Sequence, residues 1–220
     1  MAPRDVKTIS LIEDDVDIVP EVESGIEPKR PKGRPRSESS RVAILAAAYR
    51  SLQRQPIAAI STVHIARDAG VSTATLYRWW STKEELLLAA FLHEADHELV
   101  LKPEGLPLER LKEYVLGVGR FFTGEHGIVV VRLLTAIQDD AALRKQFLER
   151  VYSPRDKEIR LLVDEAVKQN QLPADVEVGM FLDSIIGPLL TRLLIRHERC
   201  DERFVGAVFE RMVIAARAQS

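Results

Sequence analysis

The sequence predicts an all-helical protein in two parts, a small N-terminal bundle and a larger C-terminal one. Three observations carry this. Apolar residues recur with a period near 3.6 from Ser37 to the C-terminus, capping residues recur between those segments, and no set of alternating strands is present. The only strand-like run, Ile128 to Val131, has no partner strands and is expected to be a buried helix. With 220 residues and 46% apolar composition the chain can bury a substantial core. The expected boundaries are a tail over 1–36, a first domain over 37–100 and a second over 101–220.

The tail contains Pro3, Pro20, Pro28, Pro31 and Pro35 and no sustained period, so it is expected to be disordered. Its charge is segregated. Residues 1–28 hold eight acids against Arg4 and Lys7, whereas Lys29, Arg30, Lys32, Arg34 and Arg36 follow without an acid. The formal net charge of −2 therefore hides a basic arm placed just before the first helix. No run reaches the length of a membrane span and the N-terminus lacks a secretory pattern, so a cytoplasmic location is expected. The single cysteine, Cys200, has no disulfide partner and reads as structurally incidental.

Helix 1 is expected from Ser37 or Ser39, with Val42, Leu45, Tyr49 and Leu52 on its inner face, ending near Pro56. Ser61 or Thr62 then caps a short helix to Ala69, Gly70 stops it, and Ser72 caps another short helix reaching about Trp80. This is the layout of a helix-turn-helix. Ile65, Ala66 and Ala69 face inward, Val71 plugs the gap, and Leu76 and Trp80 anchor the second helix. Thr73, Ala74, Thr75 and Arg78 are left on its outer face, small or hydrogen-bonding groups of a kind that a major groove admits. Helix 4 opens at Ser81 and Thr82 ahead of Glu84 and Glu85, a capping-box spacing, and buries Leu86, Leu87, Ala90 and Phe91.

Further helices are expected over 108–122, 127–137, 140–151, 154–169, 175–197 and 202–217. The last carries one wide stripe: Phe204, Val205, Val208, Phe209, Met212, Val213 and Ala216. The one before it is apolar on nearly every side from Phe181 to Ile195 and should kink at Gly187-Pro188. That surplus asks for cover by a second copy, two helices from each chain making a four-helix bundle.

The run Ile65-Ala-Arg-Asp-Ala-Gly-Val-Ser-Thr-Ala-Thr-Leu-Tyr-Arg-Trp-Trp-Ser-Thr-Lys-Glu-Glu-Leu86 resembles the signature of the tetracycline-repressor-like (TetR) family, and the resemblance reaches back through Arg41 to Tyr49. Beyond Val100 it is to the family's all-helical arrangement. There, Asp139-Asp140 to Pro154-Arg155, and Gly187-Pro188 with Arg192-Leu-Leu, resemble an actinobacterial-type C-terminal subgroup. The resemblance implies that Thr73, Ala74, Thr75 and Arg78 touch bases while Thr62, Tyr77, Trp79 and Lys83 hold phosphates. It further implies a homodimer on palindromic double-stranded DNA, a repressor released by a small-molecule effector, and no cofactor. The chain departs from the family after helix 1, where Gln55-Pro-Ile-Ala-Ala stands in place of the usual Gly-Phe or Gly-Tyr. Pro31-Lys-Gly-Arg-Pro-Arg also resembles an AT-hook core, which would lay Lys32, Arg34 and Arg36 in a minor groove.

One rival pattern is His93-Glu94-Ala-Asp-His97, which fits the zinc-binding H-E-x-x-H of metal-dependent hydrolases. A catalytic zinc needs a third ligand, and Val100 and Pro103 stand where the longer motif has Gly and His. Gly117, Gly119 and Gly124 miss both phosphate-loop spacings and suit close helix packing. A helical interaction protein without DNA affinity is the remaining alternative. For the effector, Phe121, Phe122, Arg132, Phe147 and Phe181 are the candidate pocket residues.

Overall fold

The computed structural model describes residues 34–218, with side chains described from Glu38 onward. The acidic block and Lys29, Arg30 and Lys32 of the basic arm lie outside the described residues. Ten α-helices make up the described fold, and no strand occurs in it: α1 (Arg34–Arg54), α2 (Thr62–Asp68), α3 (Thr73–Tyr77), α4 (Lys83–Glu98), α5 (Pro107–Thr123), α6 (Gly127–Asp139), α7 (Ala141–Phe147), α8 (Ser153–Lys168), α9 (Val178–Leu190) and α10 (Glu202–Ala218). Ile128 to Val131 lie within α6, as expected of a helix rather than a strand.

Helix α1 starts at Arg34, ahead of the expected Ser37, so neither Ser37 nor Ser39 caps it. Pro35 is compatible with a first turn because its missing N–H would have no helical partner there. The backbone at Arg34 and Arg36 is therefore helical, not the extended form an AT-hook requires. The inner face keeps Leu45, Tyr49 and Leu52 as expected but gains Ile44 and Ala48 and loses Val42, which is 41% exposed.

The segment that departs from the family pattern forms a single 3₁₀ turn, Ile57–Ala59, and buries Ile57 and Ile60 against the head. Helix α2 then ends as the glycine predicts. Gly70 takes φ 68°, and the N–H groups of Gly70 and Val71 return to the carbonyls of Arg67 and Ala66. Helix α3 is shorter than expected, closing at Tyr77 with Arg78 as its C-cap, and a turn carries Trp80 back into the core.

Helix α4 belongs to both halves. Leu86, Leu87, Ala90 and Phe91 are buried as expected, and so are Leu88 and Ala95, because α1 covers one side and the α7–α8 segment another. Two apolar cores result. One joins α1–α4 to α6 and α7; the other is built from α5, α8, α9 and α10.

Two prolines are absorbed in the same way. Pro154 and Pro188 each remove a helical N–H, and each adjoins a π-helical turn, Leu148–Tyr152 before Pro154 and Thr191–Arg196 after Pro188. The break expected before Pro154 and the kink expected at Gly187-Pro188 are thus each met by a widened turn in continuous helix. Close packing is seen at Gly119, where an added Cβ would stand 2.5 Å from Val205 Cγ2 and 3.0 Å from the Cys200 carbonyl oxygen. Cys200 is buried, its S–H donating to the Leu189 carbonyl at 3.5 Å, and burial pushes its thiol pKa up. Such a thiol is unreactive.

Candidate nucleic-acid interface

The interface is assembled from the ends of three short elements. Ser72 is the N-cap of α3: its Oγ accepts the Thr75 N–H at 3.1 Å and lies 2.9 Å from Thr75 Oγ1. That cap, with Leu76 fully buried behind it, orients the five-residue helix so that Ala74 and Arg78 are exposed and Thr73 and Thr75 half-buried at its outer edge. None of the four is spent on the core, as a base-reading surface requires.

Of the expected phosphate-binding groups the structure brings two, Thr62 and Tyr77, into direct contact. Thr62 Oγ1, in the first turn of α2, lies 3.0 Å from the Tyr77 hydroxyl at the end of α3. Tyr77 is 48% and Trp79 39% exposed, and Trp79 packs on buried Trp80 with ring centroids 6.3 Å apart. Lys83, the first residue of α4, is less free than expected: its ammonium donates to the Ile57 carbonyl at 3.2 Å. The group has three donors, so that bond leaves two.

The start of α4 is held by a variant of the expected capping box. Thr82 Oγ1 accepts the Glu85 N–H at 3.1 Å, and Glu85 Oε2 accepts from both the backbone N–H and the hydroxyl of Ser81, at 2.9 and 2.7 Å. The other carboxylate oxygen accepts from Arg150 at 2.7 Å. The Ser81 hydroxyl, followed by Arg150, lowers the Glu85 carboxyl to about 2.

This last contact is one of several polar bridges between the head and the C-terminal half that sequence reasoning missed. Tyr49 Oη and His126 Nδ1 share a 2.5 Å hydrogen bond, and burial raises the Tyr49 phenol so that it stays protonated. His126 stacks on Phe121 at 4.5 Å, and Phe121 meets Phe91 of α4 edge-on at 6.0 Å. Arg132 donates to the Leu52 carbonyl, and Arg155 of α8 donates to Asp96 of α4 at 2.5 Å. Each pair is separated by more than fifty residues in sequence, so no local spacing advertises it.

A half-enclosed cavity of about 380 Å³ lies between α5, α8 and α9. Its volume is that of a small-molecule site. Of the five residues expected to line an effector pocket, Phe122 and Phe147 line this cavity. Phe121 and Arg132 instead join the two halves, and Phe181 is core. The walls are otherwise aliphatic, with Tyr114, Tyr152, Arg155, Asp156 and Asp183 as the polar exceptions.

His93 and His97 stand on one face of α4 with ring centroids 4.9 Å apart. Among the described residues no group of three His, Cys, Asp or Glu side chains is placed to hold a metal ion. The pair thus lacks the third ligand a zinc centre requires.

Comparison with known proteins agrees with this geometry. Residues 44–90 match the family described as "Bacterial regulatory proteins, tetR family", and residues 103–212 match "Tetracyclin repressor-like, C-terminal domain". The chain is 31% identical over 174 residues to the HTH-type transcriptional regulator YdeS of Bacillus subtilis, an alignment covering 79% of this chain and 88% of that one. It is 23% identical over 180 residues to the HTH-type transcriptional regulator Rv1556 of Mycobacterium tuberculosis, covering 80% and 87%. Among solved structures, the TetR family transcription regulator SCO0332 superposes with a TM-score of 0.67 at 26% identity, covering 80% of this chain and 97% of that one. Two family domains in the expected order, a relative similar along most of its length and an exposed, capped α3 identify the chain as a member of the TetR family of helix-turn-helix transcriptional regulators.

Proposed function

We propose that this protein is a homodimeric repressor whose paired α3 helices read a palindromic operator and which a small molecule in the C-terminal cavity releases. The observation that carries the reading is the outer surface of α3, rigidly capped, backed by buried Leu76 and Trp80, and free of core duties. Thr73, Ala74, Thr75 and Arg78 address base edges, while Thr62, Tyr77, Trp79 and Lys83 hold phosphates. The basic run from Lys29 to Arg36 adds phosphate attraction, and Lys32, Arg34 and Arg36 reach a minor groove after the first turn of α1 unwinds.

Dimerisation is supported by the outer faces of α9 and α10. Met180 is 57% and Ile195 74% exposed, and Met180 and Ser184 flank a groove shared with Met212 and Ala215. A second copy laying the same face against this one covers both by two-fold symmetry and sets the two α3 helices about 34–36 Å apart, one turn of duplex. A ligand that favours another separation lowers affinity by its preference between the two forms. The site of action is the cytoplasm, and no catalytic step is assigned.

Selection of bound sequences from a random DNA pool tests the reading. A recovered palindrome with half-sites one helical turn apart is expected; recovery of none at low salt sinks it.

A further inference from the structure

Helix α4, which begins at Lys83, is fastened to the C-terminal half by two ion pairs whose basic members come from one segment. Glu85 meets Arg150 near its start and Asp96 meets Arg155 near its end. The second pair differs from the first because Arg155 also forms part of the cavity wall. It is markedly asymmetric: the Arg155 side chain is 19% exposed and that of Asp96 69%.

That asymmetry determines how the pair can be exchanged. Releasing Asp96 returns a carboxylate to water it already touches, at little cost. Arg155 would be left charged in a largely apolar wall, which is costly unless another anion takes the vacated place. A neutral carbonyl competes poorly with a carboxylate for a guanidinium, since charge-assisted bonds are about twice as strong. Tyr114, almost fully buried beside Arg155, accepts a hydrogen bond from it, and burial raises its phenol so that the hydroxyl keeps its own proton. Two donors thus converge at one end of an otherwise aliphatic space. Of the nearby acids, Asp156 is paired with Arg160 at 2.7 Å, Asp183 is exposed to solvent, and Glu158, which lines the neighbouring space with Asp96, Tyr114 and Arg155, is exposed as well.

We propose that the cavity selects an apolar molecule with one carboxylate head, and that the head takes Arg155 from Asp96 and so unfastens the C-terminal end of α4. The proposal rests on the cavity being the effector site. In this exchange Arg155 is the specificity-determining residue and Asp96 the built-in competitor.

The test uses the full chain and a matched pair of probes, decanoate and decan-1-ol, titrated by calorimetry at neutral pH. Decanoate should bind at least about tenfold more tightly than the alcohol, the difference expected when one charge-assisted contact is gained. Arg155→Gln should abolish that preference while alcohol binding persists, which also reports that the cavity is intact. Asp96→Asn should tighten decanoate binding, since the competitor is gone. Decanoate should lower affinity for a duplex selected from the random pool in the unaltered protein but not in Arg155→Gln. Equal binding of the two probes, or a preference that survives Arg155→Gln, overturns the proposal while leaving the effector cavity standing. If Ile186→Trp, which fills the cavity, leaves alcohol binding unchanged, or if neither probe binds, the effector-site reading itself fails and the proposal with it.

Discussion

Helices α3 and α9 make opposite use of their surfaces. Helix α3 has five residues, one of them fully buried, and its outer face is small and polar. Helix α9 has thirteen, continues through a π-helical turn to Arg196, and is apolar on both its packed and its exposed sides. A five-residue helix cannot hold itself in water, so α3 depends on a cap and an anchor. Helix α9 is capped too, by the Glu177 carboxylate on the Gly179 and Met180 N–H groups, but its apolar surface must also find cover. Reading DNA calls for the first kind of surface and assembly for the second, and the contrast teaches that the two tasks fail through different residues.

The largest effect is expected at the anchor. Leu76→Ala empties the space behind α3 and should destabilise the protein by about 2–5 kcal/mol, with loss of DNA binding. Thermal unfolding with parallel anisotropy titration checks it, and normal affinity at unchanged stability would break the claim that α3 is held from behind. On the other side of the comparison, Met212→Glu places a charge on the proposed α9–α10 face. It should give a folded monomer in sedimentation and about a hundredfold weaker operator binding, roughly 2.7 kcal/mol. A persistent dimer would show that the face serves something else.

Smaller effects sharpen the picture. Gly119→Val should overpack the α5–α10 contact and cost about 1–3 kcal/mol while leaving the head's DNA preference unaltered once refolding is complete. Glu85→Ala removes the acceptor that Ser81 and Arg150 share and should cost about 1 kcal/mol near neutrality. Because the folded-state pKa of Glu85 is depressed to about 2, that stabilisation is present above the ordinary glutamate value and lost as pH falls toward 2. Acid titrations of the two proteins should therefore converge at the low end; a constant gap down to pH 2 would contradict the assignment. The mildest change is Lys83→Ala, expected to weaken binding to all duplexes alike and to flatten the logarithmic salt slope by about one, whereas Thr75→Ala should alter which sequence is preferred.

What the amino-acid order determined by itself is the part governed by neighbours in the chain. Ser72, Thr82, Gly70 and the buried spacing of Ile65, Ala66, Leu76 and Trp80 act over one or two helical turns, so the helix-turn-helix and its outer face were legible from residue types and offsets. The inner face of α1 was read less well: Val42 is exposed and Ile44 buried, since which stripe turns inward depends on α4 and α6 arriving on particular sides. Leu88 is buried for the same reason. The prolines at 154 and 188 announced a break and a kink, but only packing on both sides decided that the helix would widen beside each. Likewise, Phe122 and Phe147 were recognisable as aromatic, whereas their place in a cavity, and the place of Arg155 between that cavity and Asp96, came from helices meeting across long stretches of chain. Capping and turn formation are local interactions that a short sequence can specify; burial, cavities and ion pairs between halves arise from which distant surfaces exclude water together, and tertiary structure alone decides that.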